Sequence, residues 1–220
     1  MEVLPNVHAV RVIGSQSYLL VDPDEITLVD AGHVGSGRML RRYLVRLGRS
    51  IEHVTRIICT HGHPDHIGGV HELAAWSGAD VYMHPADSER LRIRLREVIA
   101  NFAPGPVIAL LTRAPARARP LEDGAELPVL GGLRVIHTPG HTPGSICLYS
   151  PLHRFVIVGD MLQRVRGGAV TLPNYFFSDD MTQARRSIAR LADLDVETIL
   201  FSHYPPYRED ARAALRKLVS

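Results

Sequence analysis

"CTHGHPDHIGG", residues 59–69, places three histidines and one aspartate within six consecutive positions: His61, His63, Asp65 and His66. The apolar run before it, "VTRII", reads as a buried strand. "GGVHELAAWSG" after it reads as a helix that stops at Gly78. The cluster therefore sits where a strand gives way to a helix. His61 and His63, two positions apart at the strand end, can reach the same side. Asp65 and His66, adjacent in a turn, can aim at a second point. Imidazole and carboxylate together suit Zn²⁺, Fe or Mn, whereas all-oxygen sets suit Mg²⁺ or Ca²⁺. A single zinc takes roughly three or four ligands, so these four groups either fill one site or begin two.

Three further signals each close an apolar strand. "VIHTPGHTPGS" carries His141 in a Gly-rich turn, "FVIVGD" ends at Asp160, and "ETILFSHYPP" presents His203. Strand ends on a rigid scaffold are where functional side chains are held in place. Singly, each of these residues could be an ordinary loop histidine or a turn aspartate. Together they supply the donors that a second metal would lack. Isolated histidines such as His8, His53, His71 and His153 read as plain surface or packing residues.

Outward from these motifs the pattern is regular. "HAVRVI", "SYLLV" and "EITLVD" read as short strands, and "SGRMLRRYLVRLG" has helical spacing at Met39, Leu40, Tyr43, Leu44 and Leu47 before Gly48. "ADVYMH" is a further strand. The second half repeats the theme with "GLRVIHT", "SICLYS" and "RFVIVGD", the helix "DMTQARRSIARLAD", the strand "ETILFSH" and the closing helix "REDARAALRKLV". Two rounds of strands followed by helices point to an α+β fold with two sheets and helices outside. Residues 1–220 read as one domain, interrupted at about 88–120 by an insertion rich in Pro, Ala and Arg. That insertion is either a surface connector, a cover over the site or a subunit contact. Its run "PVIALL" and the residues Arg113, Arg117 and Arg119 would meet an acyl chain or an anionic group.

Composition narrows the function. The chain has 220 residues, is 45% hydrophobic, and carries a net charge of +2. Only Lys217 among its 25 basic side chains is a lysine. This balance gives no reason to expect a nucleic-acid partner. No apolar run approaches the ~20 residues of a membrane span, and "MEVLPNVHAV" lacks the pattern of a signal peptide. Cys59 and Cys147 are too few for a disulfide framework, so the cytoplasm is the expected compartment.

The order His61-x-His63-x-Asp65-His66, then His141, Asp160 and His203, resembles the metallo-β-lactamase superfamily. "LVDAG" at residues 28–32 and "HTPGHTPGS" resemble that superfamily's early strand-and-turn and its third-ligand loop. The resemblance implies a four-layer αββα sandwich holding two zinc ions per chain, with Fe or Mn as alternatives. It assigns His61, His63 and His141 to the first metal, and Asp65, His66 and His203 to the second. Asp160 would bridge both, and Asp30 would support the ligand loop from behind. It further implies a hydrolase in which metal-bound hydroxide attacks an ester, lactone or thioester carbonyl, with Asp65 and Asp160 in catalytic roles. The Gly-Arg motif of glyoxalase II is absent after Asp160, where "GDMLQRVRGGAVTLPNYFFSDDM" stands. The alternatives are a mononuclear iron oxidoreductase of the persulfide dioxygenase kind, or a hydrolase of β-lactams or phosphodiesters. A small-molecule substrate is expected, with Tyr175, Phe176, Phe177 and Tyr204 as candidate pocket walls or core filler. A homodimer remains open.

Overall fold

A computed structural model of the chain describes residues 1–89, 117–165 and 168–219. Contacts divide the chain into two compact units, Met1–Pro120 and Leu121–Ser220. The fold is of the α+β class expected, with mixed sheets and helices in each unit.

The first unit is built on a seven-stranded sheet in sequence order, β1 to β7. Strands β1 (Glu2–Leu4), β2 (Val7–Arg11), β3 (Gln16–Val21) and β4 (Ile26–Val29) form an antiparallel meander. From β4 onward the pairing is parallel, through β5 (Val54–Ile58), β6 (Asp80–Met83) and β7 (Arg119–Pro120). Helix α1 (Gly37–Arg46) links β4 to β5. Leu40 and Leu44 face the core and Tyr43 and Leu47 pack against it, but Met39 lies on the outer face. Parallel pairing has a direct consequence for the site. Val29 is opposite Ile58, and the Asp30 N–H donates to the Ile58 carbonyl, so β4 and β5 end side by side. The residues that follow each strand emerge at one sheet edge.

The cluster motif is more ordered than an open turn. Pro64–Ile67 forms a one-turn helix, α2, with Pro64 at its start where its missing N–H is harmless. Helix α3 (Val70–Ser77) follows and stops at Gly78, whose φ of 74° suits a left-handed terminus. Gly69 is required between them, because a Cβ there would lie 2.5 Å from the Ala31 carbonyl oxygen.

The second unit holds a five-stranded sheet in the order β14-β11-β10-β9-β8 and a two-stranded ribbon, β12 with β13. Its strands are β8 (Glu126–Leu127), β9 (Leu133–His137), β10 (Ile146–Ser150), β11 (Phe155–Ile157), β12 (Gln163–Arg164), β13 (Val170–Thr171) and β14 (Thr198–Leu200). Helices α4 (Met181–Ala192) and α5 (Ala211–Lys217) pack on it through Ala184, Ile188, Leu191, Ala211 and Leu215. Parallel β11 and β14 again end together, and Ile146 at the start of β10 pairs with His137 at the end of β9. The His141 loop and the segments carrying Asp160 and His203 therefore leave the sheet at one edge.

Most of the proposed insertion, including Arg113 and "PVIALL", lies outside the described residues, as does Arg166. Of its described part, Arg117 is exposed, while Arg119 pairs with Asp80 at 2.9 Å and lies over the Tyr82 ring. Among the described residues no helix is long and apolar enough to cross a membrane.

Both cysteines are buried as free thiols. Burial pushes the Cys147 thiol up to about 12 and the Cys59 thiol well above the usual range. A thiol-reactive dye should label neither in the native protein and both in denaturant, read by absorbance. The Cys147 shift also sets a pH trend. Between the thiol's ordinary value of 9.0 and about 12 the unfolded chain gives up a proton that the native state keeps. Stability should therefore fall as pH rises through that window, measured by denaturant unfolding, and a Cys147→Ala variant should lose that part of the slope.

Candidate metal centre

The first unit arranges its donors around one buried carboxylate. Asp30, 1% exposed, follows β4 with φ 57°, a left-handed conformation that aspartate tolerates better than most residues. Its Oδ1 accepts from the Thr60 N–H at 2.8 Å. Its Oδ2 accepts from the Thr60 hydroxyl and from His66 Nδ1, both at 2.8 Å. These contacts fix tautomers. A carboxylate only accepts, so the single Thr60 hydroxyl proton is committed to Asp30. Thr60 Oγ1 must then accept from His61 Nδ1, 3.1 Å away. His61 and His66 thus both carry their proton on Nδ1, and each presents the Nε2 lone pair instead. His61 Nε2 faces His63 Nδ1 at 3.1 Å, and His66 Nε2 faces Asp65 Oδ2 at 3.6 Å.

The second unit repeats the device with a hydroxyl. His141 Nδ1 lies 3.1 Å from Ser178 Oγ, and its Nε2 faces Asp160 Oδ2 at 3.6 Å. His203 Nε2 lies 3.2 Å from the same carboxylate. Asp160 therefore has two histidine nitrogens close to its carboxylate.

The donor set fits a metal. Two nitrogen or oxygen donors on one tetrahedral zinc, with bonds of ~2.0–2.1 Å, lie roughly 3.3 Å apart. The observed separations of 3.1–3.6 Å cluster about that value. Anchoring the far ring nitrogen on a carboxylate or hydroxyl is the usual way in which a ligand histidine is oriented.

All the donors named from the sequence thus group with a partner in their own unit: His61 with His63, Asp65 with His66, and His141 and His203 with Asp160. Asp30 accepts from Thr60 and from His66 Nδ1, next to these donors. Sequence reasoning missed Asp87, which is fully buried and whose Oδ2 accepts from the Gly62 N–H at 2.6 Å between His61 and His63. A lone aspartate in the first turn of a helix gives no signal for this. It also missed Thr60, Ser178 and Ser15, whose hydroxyl donates to the Asp65 carbonyl at 2.6 Å. The four pocket candidates separate. Tyr175, Phe176 and Phe177 form an exposed one-turn helix, which rules out core filler for them. Tyr204 is half-buried against the second core, edge-on to Phe201.

Residues 10–203 match the pattern of the metallo-beta-lactamase superfamily. The chain belongs to that superfamily, whose members are mostly hydrolytic, and its His and Asp donors are of the kind that suit a divalent metal. It is 28% identical to the probable metallo-hydrolase YflN of Bacillus subtilis, aligned over 100% of this chain and 93% of the relative. It is 32% identical to a hydroxyacylglutathione hydrolase of Pseudomonas paraeruginosa over 72% of this chain, spanning half of that protein. Among solved structures, a metallo-beta-lactamase family protein of Thermus thermophilus, TTHA1429, superposes with a TM-score of 0.80. That superposition covers 99% of this chain and 79% of the other, at 26% identity. TTHA1623 in a di-iron-bound form superposes at 0.70, with 27% identity over 90% of this chain and 93% of that one.

Asp30→Asn should keep the backbone conformation but weaken acceptance by the carboxylate, lowering metal affinity or activity about 10–100-fold. Asp30→Ala should in addition orphan three buried donors and lower stability by about 3–5 kcal/mol. Chelator competition and thermal unfolding would separate the two effects. Wild-type behaviour in both variants would show that Asp30 does not orient the ligands.

Proposed function

We propose that this chain is a dinuclear zinc hydrolase acting on an ester, lactone or thioester. In this reading His61, His63 and His141 hold one metal, and Asp65, His66 and His203 hold the other, with Asp160 shared. The observation that carries it is the position of Asp160, whose carboxylate lies within 3.6 Å of His141 Nε2 and 3.2 Å of His203 Nε2. A shared carboxylate is what two like-charged ions about 3.5–4 Å apart require. In this reading the two donor pairs of the first unit, His61 with His63 and Asp65 with His66, supply the remaining ligands of the two ions.

Two divalent ions bound there would supply a water acidified to a pKa near 7 and a polarised carbonyl oxygen. The protein's own contribution is orientation and proton handling. The Nδ1 anchors of His61, His66 and His141 fix the direction of three Nε2 lone pairs. Asp65 is half-buried and held through its carbonyl by Ser15, so its carboxylate can receive a proton and deliver it to a departing alkoxide or thiolate. Asp160 offsets positive charge at the centre. Tyr175, Phe176 and Phe177 give the second unit an exposed aromatic surface for an apolar acyl group, and Tyr204, with its hydroxyl 3.4 Å from Gln163, is a further contact.

The substrate class is supported by the likeness to hydroxyacylglutathione hydrolases, and the missing Gly-Arg motif argues for a group other than glutathione. Iron is the competing occupant, since a structural relative carries two irons. Two buried free thiols are in keeping with action in the cytoplasm on a small molecule.

Elemental analysis of the purified protein should find about two zinc per chain. One iron with no zinc would overturn the reading. Asp160→Ala should lose metal and hydrolysis together, whereas Phe176→Ala should alter the preference among acyl chains and leave the metal content unchanged. A panel of lactones, thioesters, β-lactams and phosphodiesters assayed with that protein would identify the class. Turnover confined to β-lactams or phosphodiesters would reject the substrate proposed.

A further inference from the structure

The loop carrying His141 is tied to residues 174–187 of the second unit. The Asp179 N–H donates to the His141 carbonyl at 3.2 Å, and the Asp180 N–H donates to the Gly140 carbonyl at 2.9 Å. Gly140 packs so tightly on α4 that a Cβ there would lie 2.3 Å from the Ala184 nitrogen. The Ser187 hydroxyl donates to the Pro139 carbonyl at 2.7 Å. Asp180 starts α4 by accepting from the Gln183 N–H at 2.9 Å. Backbone and helix together hold the loop. They do not decide which nitrogen of the His141 ring carries the proton.

We infer that Ser178 decides it, as the positioning residue for His141. The Ser178 hydroxyl donates to the Asn174 carbonyl at 2.7 Å. A carbonyl only accepts, so the one Ser178 proton is committed there. Towards His141 Nδ1, 3.1 Å away, Ser178 Oγ can only accept. His141 is thereby fixed as the Nδ1–H tautomer, with its Nε2 lone pair aimed at Asp160 Oδ2. Asn174 is locked in turn, because its side chain accepts from the Phe176 N–H at 2.9 Å and its carbonyl from the Phe177 N–H at 3.2 Å. The aromatic turn "NYFFS" and the ligand histidine are therefore one hydrogen-bonded unit. The inference rests on the proposed metal-ligand role of His141, but the tautomer itself is a property of the metal-free protein.

The test uses long-range ¹H–¹⁵N spectra of the metal-free full chain at about pH 8.5, where an ordinary imidazole of pKa ~6.5 is neutral. His141 is assigned by comparison with His141→Gln. Wild-type His141 should appear as the Nδ1–H tautomer, and Ser178→Ala should shift it to a mixture or to Nε2–H. Ser178→Thr, which keeps the hydroxyl, should restore the wild-type pattern. In chelator competition Ser178→Ala should lose about 10–100-fold in affinity for one metal equivalent, with the threonine variant close to wild type. An Nε2–H tautomer in the wild type would overturn the inference, with no variant required. So would a Ser178→Ala protein whose tautomer is unchanged. If the wild type shows the Nδ1–H tautomer yet binds no metal, the functional reading fails while the assignment of Ser178 stands.

Discussion

A carboxylate buried at the end of two parallel strands governs the first unit's chemistry. Asp30 accepts three hydrogen bonds in a place almost closed to water. Burying a charge is costly unless it is fully hydrogen-bonded, so the three donors are the condition for its being there. Each of the three also performs a second task. The Thr60 amide and hydroxyl hold the chain as it leaves β5, and the His66 imidazole brings α2 against β4. The register of β4 with β5 makes this possible, since a shift of one residue would turn Asp30 to the other face. Sheet pairing and the geometry of these donors are thus one constraint in this unit.

The second unit reaches a similar end by other means. Next to His141 Nδ1 stands a neutral serine, backed by a peptide carbonyl. Its sheet edge gathers the His141 loop, Asp160 and His203 because β11 and β14 run parallel and β10 runs against them. The two units resemble each other in placing chemistry at the ends of buried apolar strands, where a rigid backbone aims short side chains.

How much of this could be read beforehand follows the physics of each element. Strands β5, β11 and β14 are short apolar runs, and the residues after them are legible as candidate site residues from spacing and type alone. The strands β7, β8, β12 and β13 have two residues each and carry no period, so composition could not announce them. Helix α2 was hidden because Pro64 normally signals a break, yet at a first helical position it is accommodated. The supports were the least legible part. Asp30 was recognised through a resemblance, whereas Asp87, Thr60 and Ser178 act through hydrogen bonds reaching across 25, 30 and 37 residues, which local sequence does not encode. Three adjacent aromatic residues invite a core assignment by hydrophobicity, but the 3₁₀ turn started by Asn174 points them outward.

The proton inventory of the donors has a consequence for how quickly a cation could be taken up. His61, His66 and His141 already hold their proton on the nitrogen facing the protein. A neutral ring in that state has nothing to release from Nε2 and need not exchange tautomers or swing about its χ angles on ion arrival. Those are the slow, entropically costly parts of assembling a coordination sphere. With them completed during folding, the remaining barrier for these three donors is the stripping of water from the ion, a property of the ion and not of the chain.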